Sequence, residues 1–403
     1  MPSLLRLTVP ILAIVLSAPT LRAGGEPPPA APAARDVLER FSFDRDCPLL
    51  LLPIELKGKK YRFALDTGAS RSVYDSSLVP ILGSSIETNE VGTPGGTTVV
   101  PLYHAPDAKL GRLTLPKDSP VAVADLHRLR EVSGEEVYGL IGMDFLSHVV
   151  LRIDPDRGEI VFLRTTGSDP GRRLPVTLDN DEDGGIPFVE VHFDGMDAPE
   201  RFSVDTGFGG FSSGDLRPET FDALVRQGKV KADRDCLCET LAGSSVEREG
   251  HLSEFALGGY RHAGLRFDRG VWNILGLNYV MRYVVTFDFP GRAMYLKKGA
   301  QFDAPDWLDM GGMRIDRIAG RVHVHSVERG GPAASAGIRP DDLILMAGGE
   351  KAESIRLQRL RRLLCTEGAK VSLVVRRGKD ERTVQLELRD WRKNIAPDGK
   401  EGK

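Results

Sequence analysis

Cysteine is scarce in this chain, and neither sign of charge is in excess. Four cysteines among 403 residues are too few for a disulfide-stabilised scaffold. The 54 Lys and Arg residues nearly balance the 57 Asp and Glu residues, and no long basic run stands out, so nothing indicates nucleic acid as a partner. With 41% hydrophobic and 28% charged residues, the composition excludes a mainly disordered, collagen-like or multi-span membrane protein.

The N-terminus has an apolar run over residues 7–18 that follows a weakly positive start at Arg6. The run is too short to span a bilayer and is typical of a signal peptide, here residues 1–23; an uncleaved anchor is the less favoured alternative. Residues 24–40 include a Pro/Ala-rich stretch typical of a stiff linker. The sequence therefore predicts a periplasmic or secreted protein whose folded part begins near Phe41.

The chain contains an internal duplication. The segment FALDTGAS at 63–70 is similar to FSVDTGFG at 202–209, and GLIG at 139–142 is similar to NILG at 273–276. Within each copy the two motifs stand in the same order and at nearly the same spacing. Short apolar or alternating segments, separated by Gly and Asp turns, surround both copies. The pattern predicts two similar β-rich lobes.

Asp-Thr-Gly follows an apolar strand in both copies. The strand places the Asp in a partly desolvated environment. The Thr hydroxyl can form a hydrogen bond to the other lobe, and the Gly permits a turn and offers its backbone N–H as a donor. Two carboxylates brought about 3 Å apart share one proton and titrate as a unit, so neither is assigned as the fixed acid or base. A water between them can be activated without a metal or organic cofactor. The predicted catalytic residues are Asp66, Asp205, Thr67, Thr206, Gly68 and Gly207.

The doubled Asp-Thr-Gly, with its apolar-apolar-Gly elements at 140–142 and 274–276, resembles the retropepsin-like aspartic proteases of the pepsin and retropepsin type. The resemblance covers roughly residues 41–298. It implies a mainly β fold of two β-barrel-like lobes fused in one chain, which we place at 41–168 and 169–300. It also implies an aspartic endopeptidase that acts on protein or peptide substrates. Because both loops lie in one chain, the active site is expected to be complete in a monomer.

The resemblance further implies a flap, a glycine-bearing hairpin that closes over substrate. Val91–Thr98, with Gly95 and Gly96, stands where the first lobe's flap is expected. Leu241–Ser245, with Gly243, is its counterpart in the second lobe. An ordinary surface hairpin is the alternative for each. The glycines are accordingly predicted to lie at the substrate.

Phe208 departs from the family pattern. Ala69 follows the first Asp-Thr-Gly, as in the retroviral type, whereas Phe208 follows the second, where the family usually has a small or hydroxyl-bearing residue. A ring at this position is expected to lie at the substrate site and to crowd it or shift the loop. The sequence therefore leaves a second function open, a catalytically inactive scaffold that holds a peptide without cutting it.

The sequence pattern over residues 305–391 differs from that of the two predicted lobes. The run GPAASAGIRPDDLI at 331–344 and a predicted helix over Glu353–Leu364 resemble a bacterial-type PDZ domain, a β fold with two short helices. Such a domain binds an extended peptide by adding it to a sheet edge. The alternative is a docking domain that packs on the lobes with its groove blocked. Residues 392–403 are expected to be a flexible tail.

The PDZ groove is expected between the strand that starts at Met313 and the predicted helix. The preceding loop can present backbone N–H groups to the C-terminal carboxylate of a substrate or partner peptide. The predicted peptide-binding residues of this module are Gly311, Gly312 and Met313.

Two weaker motifs are set aside. Residues 210–214 match the G-x-S-x-G pattern of serine hydrolases but directly follow Asp-Thr-Gly and lack a strand-turn-helix context. Residues Asp179–Glu190 match a calcium-binding EF-hand loop, yet the flanking segments are typical of strands. We expect an acidic hairpin tip there, with calcium binding as the less favoured alternative.

The cysteines give no clear bridge. Cys236 and Cys238 are too close in sequence for an unstrained disulfide, and a pairing of Cys47 with either of them stays open. Cys365 is expected on the buried face of the predicted PDZ helix. The histidines and cysteines show no zinc-binding spacing, so no metal is predicted.

Overall fold

The computed structural model describes residues 32–93, 96–179, 185–240 and 243–391, without the side chains of 233–240 and 243–246. The predicted signal peptide, residues 24–31 of the predicted linker and the predicted tail lie outside the described residues. Within these ranges no helix is long and apolar enough to cross a membrane.

The first lobe consists of short strands and helices of one or two turns. Its strands are β1 (Val37–Ser42), β2 (Leu51–Leu56), β3 (Lys59–Leu65), β4 (Val73–Asp75), β5 (Ser85–Thr93), β6 (Gly96–Tyr103), β7 (Ala108–Leu110), β8 (Leu113–Thr114), β9 (Val121–Ala124), β10 (Gly139–Ile141), β11 (Val150–Asp154) and β12 (Glu159–Leu163). Its helices are α1 (Val79–Leu82), α2 (His127–Ser133) and α3 (Met143–Leu146), with 3₁₀ turns at Ala34–Asp36 and Ser76–Leu78. Nine of the strands form one sheet in the order β5-β6-β9-β4-β10-β3-β2-β7-β8.

The β2–β3 hairpin shows how the sequence determines this lobe. The alternate residues Leu52, Ile54 and Leu56 are buried, and those between them are partly exposed, as expected for a strand with one face on a core. The turn uses Lys57 and Gly58, both with positive φ, which suits the tight turn of a two-residue hairpin. The hairpin directs β3 toward the centre of the lobe, where it ends at the first Asp-Thr-Gly.

The second lobe repeats this plan. Its strands are β13 (Arg172–Pro175), β14 (Thr177–Leu178), β15 (Pro187–Val191), β16 (Glu200–Asp205), β17 (Gly214–Leu216), β18 (Val230–Thr240), β19 (Gly243–Leu252), β20 (Phe255–Leu257), β21 (Tyr260–His262), β22 (Leu265–Arg269), β23 (Ile274–Gly276), β24 (Tyr283–Asp288) and β25 (Ala293–Lys298). Its helices are α4 (Pro218–Arg226) and α5 (Leu277–Val280). The eight-stranded sheet runs β14-β15-β16-β23-β17-β22-β19-β18, so β16, β17, β22 and β23 take the places of β3, β4, β9 and β10.

A third sheet joins the two lobes. Its order is β1-β12-β11-β24-β25-β13, and the seam is the antiparallel pair β11–β24, in which Arg152 lies opposite Thr286. One hydrophobic core continues from the first lobe to the second beneath this sheet. The two lobes are therefore fixed relative to each other by shared strands and a shared core.

The C-terminal module has its own core. Its strands are β26 (Met313–Ile318), β27 (Arg321–Val327), β28 (Leu343–Ala347), β29 (Glu350–Lys351), β30 (Lys370–Arg377) and β31 (Asp380–Glu387), and its helices are α6 (Pro332–Ser335) and α7 (Leu357–Leu363). The order β26-β27-β28-β30-β31 leaves one edge of β26 facing α7. The prediction of a mainly β, two-lobed chain with a C-terminal PDZ domain is confirmed, although the lobe sheets stay open over the described residues and form no closed barrel.

The predicted helix Glu353–Leu364 is wrong at its N-terminal end. Ala352–Ser354 forms a 3₁₀ turn, and Ile355 and Arg356 are extended before α7 begins at Leu357. The extended backbone places Ile355 in the core, where 2% of its surface is exposed. Burial of this side chain therefore outweighs the helical periodicity of the segment.

Candidate active site

Parallel strand pairs deliver the two Asp-Thr-Gly loops. β3 ends beside β10, and the backbone N–H of Asp66 donates to the carbonyl of Ile141 at 3.0 Å. β16 ends beside β23 in the same way, with Asp205 opposite Gly276. The apolar-apolar-Gly elements predicted to support the loops are the end of β10 with the following Gly142 in the first lobe and β23 in the second. The local duplication in the sequence thus becomes a duplicated strand pair that ends at a carboxylate.

The two threonines bond the loops to each other across the lobe interface. Each backbone N–H donates to the hydroxyl of the other threonine, at 3.1 Å from Thr67 and 3.0 Å from Thr206. The hydroxyl of Thr67 donates to the carbonyl of Val204 at 2.5 Å, and that of Thr206 donates to the carbonyl of Leu65 at 2.9 Å. Both side chains are fully buried. The predicted bracing role of the threonines corresponds to these four reciprocal hydrogen bonds.

The glycines of the motif allow the carboxylates to meet. A Cβ added at Gly68 would lie 2.3 Å from Cγ of Asp205, and one added at Gly207 would lie 2.4 Å from Cγ of Asp66. Each glycine therefore backs directly onto the carboxylate of the other lobe, where no side chain fits. The structure brings all six predicted catalytic residues to one place at the centre of the interface.

The two carboxylates form a hydrogen-bonded pair. Asp66 is 9% exposed, and the N–H of Gly68 donates to its Oδ1 at 2.9 Å. The Oδ1 of Asp205 accepts from Gly207 and Phe208 at 2.8 and 3.0 Å. Burial raises the pKa of both carboxyls, and the charge of Asp205 raises the pKa of Asp66 further. Losing the second proton would place two negative charges side by side, so the pair holds one proton over an extended pH range.

Phe208 leaves the hydrogen bonds of its loop intact. Its backbone N–H donates to Asp205, and Ala69 makes the same bond to Asp66 in the first lobe. The Phe208 ring lies against Gly276, where an added Cβ would approach Cδ1 of the ring to 2.5 Å. The second loop therefore keeps the geometry of the first, and the ring occupies space that the glycine of β23 leaves open.

Each Asp loop is supported from behind by a carboxylate that the sequence analysis missed. In the first lobe Asp144 accepts hydrogen bonds from the N–H and hydroxyl of Ser72, at 3.0 and 2.7 Å. The second lobe has Asn278 at the corresponding place, and its amide donates to Asp306 at 2.8 Å. Arg282 also pairs with Asp306. The sequence held one signal for this arrangement. The second copy has Asn278 where the first has Asp144, so a carboxylate from another segment has to take the place of the missing one.

A hairpin lies at each predicted flap. In the first lobe β5 and β6 pair up to Thr93 and Gly96, and Gly95 lies outside the described residues. In the second lobe Gly243 begins β19, opposite Thr240 of β18. The ring of Trp272 reaches across from the second lobe to the first hairpin, where an added Cβ at Gly92 would lie 3.6 Å from it. This contact between lobes was not foreseen.

The motifs that were set aside have ordinary structural roles. β14 and β15 flank the EF-hand-like segment as an antiparallel hairpin, and Asp179 accepts a hydrogen bond from Arg201 at 2.9 Å. The tip, residues 180–184, lies outside the described residues. Cys47 is a free thiol, so the pairing left open for it is not formed, and burial raises its pKa to about 12. The expectation that Cys365 lies on the buried face of the helix is wrong, because α7 ends at Leu363 and Cys365 follows it, half-buried, with its thiol donating to the carbonyl of Arg361 at 3.3 Å.

The groove of the C-terminal module is occupied by groups of the protein itself. The N–H groups of Gly311 and Gly312 donate to the two carboxylate oxygens of Asp309, both at 2.9 Å. Met313 is buried at the start of β26. Arg361 of α7 reaches across the groove and donates to the carbonyl of Ile315 at 2.6 Å. An internal carboxylate thus stands where a peptide C-terminus was expected to bind.

Helix α2 of the first lobe packs over the same groove. Arg128 of this helix pairs with Asp316 of β26 at 2.8 Å. Gly134, its C-cap, approaches Leu357 so closely that an added Cβ would lie 2.7 Å from the leucine Cβ. Glu135 pairs with Arg356 just before α7. These contacts correspond to the blocked docking domain that the sequence left as an alternative.

Two family models match parts of this chain. A family model described as aspartyl protease matches residues 52–145, and one described as PDZ domain matches residues 323–377. The first lobe is therefore an aspartyl protease domain of the retropepsin-like type, and the C-terminal module is a PDZ domain, as the sequence predicts.

No curated protein matches the chain. Among solved structures, the chain is similar to a photosystem II D1 C-terminal processing protease, at 26% identity and a TM-score of 0.19. That similarity covers 20% of this chain and 23% of the protease, so the chain spans less than a quarter of that protein's length.

Proposed function

We propose that the protein is an aspartic endopeptidase that hydrolyses peptide bonds at the Asp66–Asp205 pair. The observation that carries the proposal is the buried, hydrogen-bonded carboxylate pair, held by reciprocal threonine bonds at the interface of the two lobes. A buried pair of carboxyls that shares one proton supplies a base and an acid at the same point. Both members come from one chain, so a single copy contains the whole pair.

The geometry supports a simple sequence of proton transfers. The ionised carboxylate takes a proton from a water held between the two aspartates, and this water attacks the carbonyl carbon of the peptide bond. The protonated carboxyl donates a hydrogen bond to the carbonyl oxygen as negative charge develops there. The proton taken from water then passes to the leaving nitrogen as the C–N bond breaks. The Gly68 and Gly207 N–H groups hold the carboxylates in place throughout.

We expect the pH profile of peptide hydrolysis to report the shared proton. Activity requires one proton on the pair, so it falls at low pH, where both carboxyls are protonated, and at high pH, where both are ionised. Because burial raises both pKa values, the high-pH limb lies above the ordinary range of an aspartate. The measurement is kcat/KM on a peptide library from acid to neutral pH, with a transition-state inhibitor of aspartic proteases as the control.

An inactive scaffold is the competing function, and the same assay separates the two. A scaffold binds library peptides with no cleavage at any pH and no effect of the inhibitor on product formation. Phe208 was the reason for this alternative. Its ring packs on Gly276 while its N–H still serves Asp205, and this arrangement favours an active enzyme.

We propose that the PDZ domain exchanges its contact with helix α2 for a peptide ligand, which is either a substrate or a partner. The β26 edge and the loop at Gly311 and Gly312 are the parts that would receive a peptide, and internal groups now occupy both. A peptide must therefore compete with these groups. Its apparent Kd equals the Kd for the open groove divided by the fraction of molecules in which the groove is open. In this state the module acts as a docking domain on the first lobe.

We expect Arg356→Glu to open the PDZ groove. Arg356 pairs with Glu135 and, at 2.9 Å, with Asp44, so the substitution places a negative charge against two others across the contact. A labelled peptide with a free C-terminal carboxylate and an apolar last residue should then bind about 10-fold more tightly by fluorescence anisotropy. Arg359→Glu is the control, because Arg359 pairs with Glu350 inside the module. Equal affinities in all three proteins would contradict gating by α2.

We also propose that the protein is exported, on the basis of its N-terminal sequence. The apolar run at residues 7–18 and the Pro/Ala-rich linker after it support this proposal. Fractionation of cells that express the full chain would show the mature protein, shortened by roughly 20 residues, in the periplasm or the medium.

A further inference from the structure

The second lobe contains a carboxylate cluster that the proposed mechanism does not use. One oxygen from each of Asp215, Glu247 and Asp268 lies within 4.8 Å of the other two. The three residues come from β17, β19 and β22, which are neighbours in the second sheet. Asp215 and Asp268 stand side by side on parallel strands. The sheet therefore brings together three acidic groups that are far apart in the sequence.

Asp215 is completely buried and has no hydrogen-bond partner among the described residues. Its side chain is 0% exposed, and both of its oxygens are unsatisfied. A buried carboxylate in this condition is strongly unfavourable unless another group compensates its charge. Protonation removes the charge but still leaves a hydroxyl and a carbonyl oxygen to be satisfied. The neighbouring groups in the cluster include two further carboxylates, those of Glu247 and Asp268, so a cation is the group that compensates the charge of all three.

The first lobe shows what the same position looks like without this chemistry. The strand pairings of the two lobes can be compared residue by residue. In this comparison Val73 of the first lobe corresponds to Asp215 of the second, and Ala122 corresponds to Asp268. Glu247 corresponds to Val100 by the pairing of β19 with β22 and of β6 with β9. All three first-lobe residues belong to one apolar cluster. The duplicated fold therefore needs no acidic residue here, and the second lobe has three.

The surroundings of Asp215 are shaped to its carboxylate. A Cβ added at Gly270 would lie 2.2 Å from Oδ2 of Asp215, so only glycine backbone fits against that oxygen. The hydroxyl of Ser212 donates to Oδ2 of Asp268 at 2.9 Å and orients that carboxylate. The site is thus acidic, mostly buried and built from oxygen ligands.

We propose that Asp215, Glu247 and Asp268 bind a divalent calcium ion within the second lobe. Carboxylate oxygens are ligands for hard cations, and a set without nitrogen or sulfur disfavours zinc and copper. Calcium holds its oxygens at about 2.3–2.6 Å, so ligands on opposite sides of the ion are about 5 Å apart, which accommodates the 4.8 Å span of the cluster. The ion compensates the buried charge of Asp215 and ties three strands of the lobe together.

Calcium titration of the full chain tests the proposal. The protein is stripped with a chelator, dialysed, and titrated with CaCl2 by calorimetry and by thermal unfolding. At calcium concentrations about 100-fold above Kd we expect the Tm to rise by on the order of 5 °C. No binding heat and no change in Tm up to millimolar calcium would overturn the proposal. Neither readout depends on peptide hydrolysis, so the result is independent of the proposed protease function.

Asp215→Val is the decisive variant, because valine stands at the corresponding place in the first lobe. It should abolish calcium binding and, in chelator, melt at or above the temperature of the stripped wild-type protein. If Asp215→Val does not fold, Asp268→Asn is tested in its place and should weaken calcium binding by at least about 10-fold. Asp179→Asn is the control from the other acidic segment and should bind calcium normally. Loss of binding in Asp179→Asn alone would place the ion in that hairpin and overturn the proposal.

Discussion

Asp66→Asn is expected to lower kcat for peptide hydrolysis by on the order of 10⁴-fold while the fold stays intact. The amide has nearly the shape of the carboxyl group and keeps an oxygen for the Gly68 N–H. It cannot share a proton with Asp205, so the pair loses either its acid or its base. Steady-state kinetics on a cleaved library peptide, with thermal unfolding as the check on folding, measure the effect.

The matched control for this substitution is Asp222→Asn. Asp222 is an aspartate of α4 that pairs with Arg269 at the surface, at 2.8 Å, away from the carboxylate pair. The same change of carboxyl to amide should leave kcat within about two-fold of the wild-type value, because surface ion pairs contribute little. Asp66→Asn that cleaves as fast as Asp222→Asn would show that hydrolysis takes place elsewhere.

Thr206→Val is expected to lower the free energy of unfolding by about 2–4 kcal/mol. The substitution keeps the volume of the side chain but removes the hydroxyl group, whose oxygen accepts from the Thr67 N–H and whose O–H donates to the Leu65 carbonyl. Both partners are then buried without a hydrogen bond. We also expect kcat to fall, because the two Asp loops are no longer held in register. Urea unfolding of the variant and the wild-type protein gives the difference.

Thr206→Ser separates the hydroxyl from the methyl group. Serine retains both hydrogen bonds and loses only a methyl, so stability should fall by about 1 kcal/mol and activity should be largely kept. If the valine variant is as stable and as active as the serine variant, the reciprocal bonds do not hold the loops together.

The duplication made the centre of the fold predictable. Two Asp-Thr-Gly loops, each with a matching apolar-apolar-Gly segment, specify a symmetric pair of strands, and the six predicted catalytic residues meet there. These features depend on residues that are close together in the sequence.

The features that the sequence did not reveal depend on contacts between distant segments. Asp306 lies just after the second lobe and supports Asn278 within it. Trp272 contacts the hairpin of the other lobe. Asp215, Glu247 and Asp268 become a cluster only because their strands are neighbours in the sheet. No sequence periodicity or motif indicates such long-range contacts, so only the structure reveals them.

The PDZ groove shows the same limit. The loop at Gly311 and Gly312 was predicted to present N–H groups to a peptide carboxylate, but the carboxylate of Asp309, two residues before Gly311, accepts from both. Helix α2 comes from a segment about 200 residues earlier in the chain. A peptide-binding motif in the sequence therefore says which groups can bind a carboxylate, and tertiary packing decides which carboxylate binds.

The shared proton can be located by neutron diffraction from a crystal of the deuterated protein grown at mildly acid pH. We expect a single deuteron between the facing oxygens of Asp66 and Asp205, with each outer oxygen free to hold water. Two carboxylates that are both fully deuterated, both bare, or too far apart to share a hydrogen would contradict the mechanism.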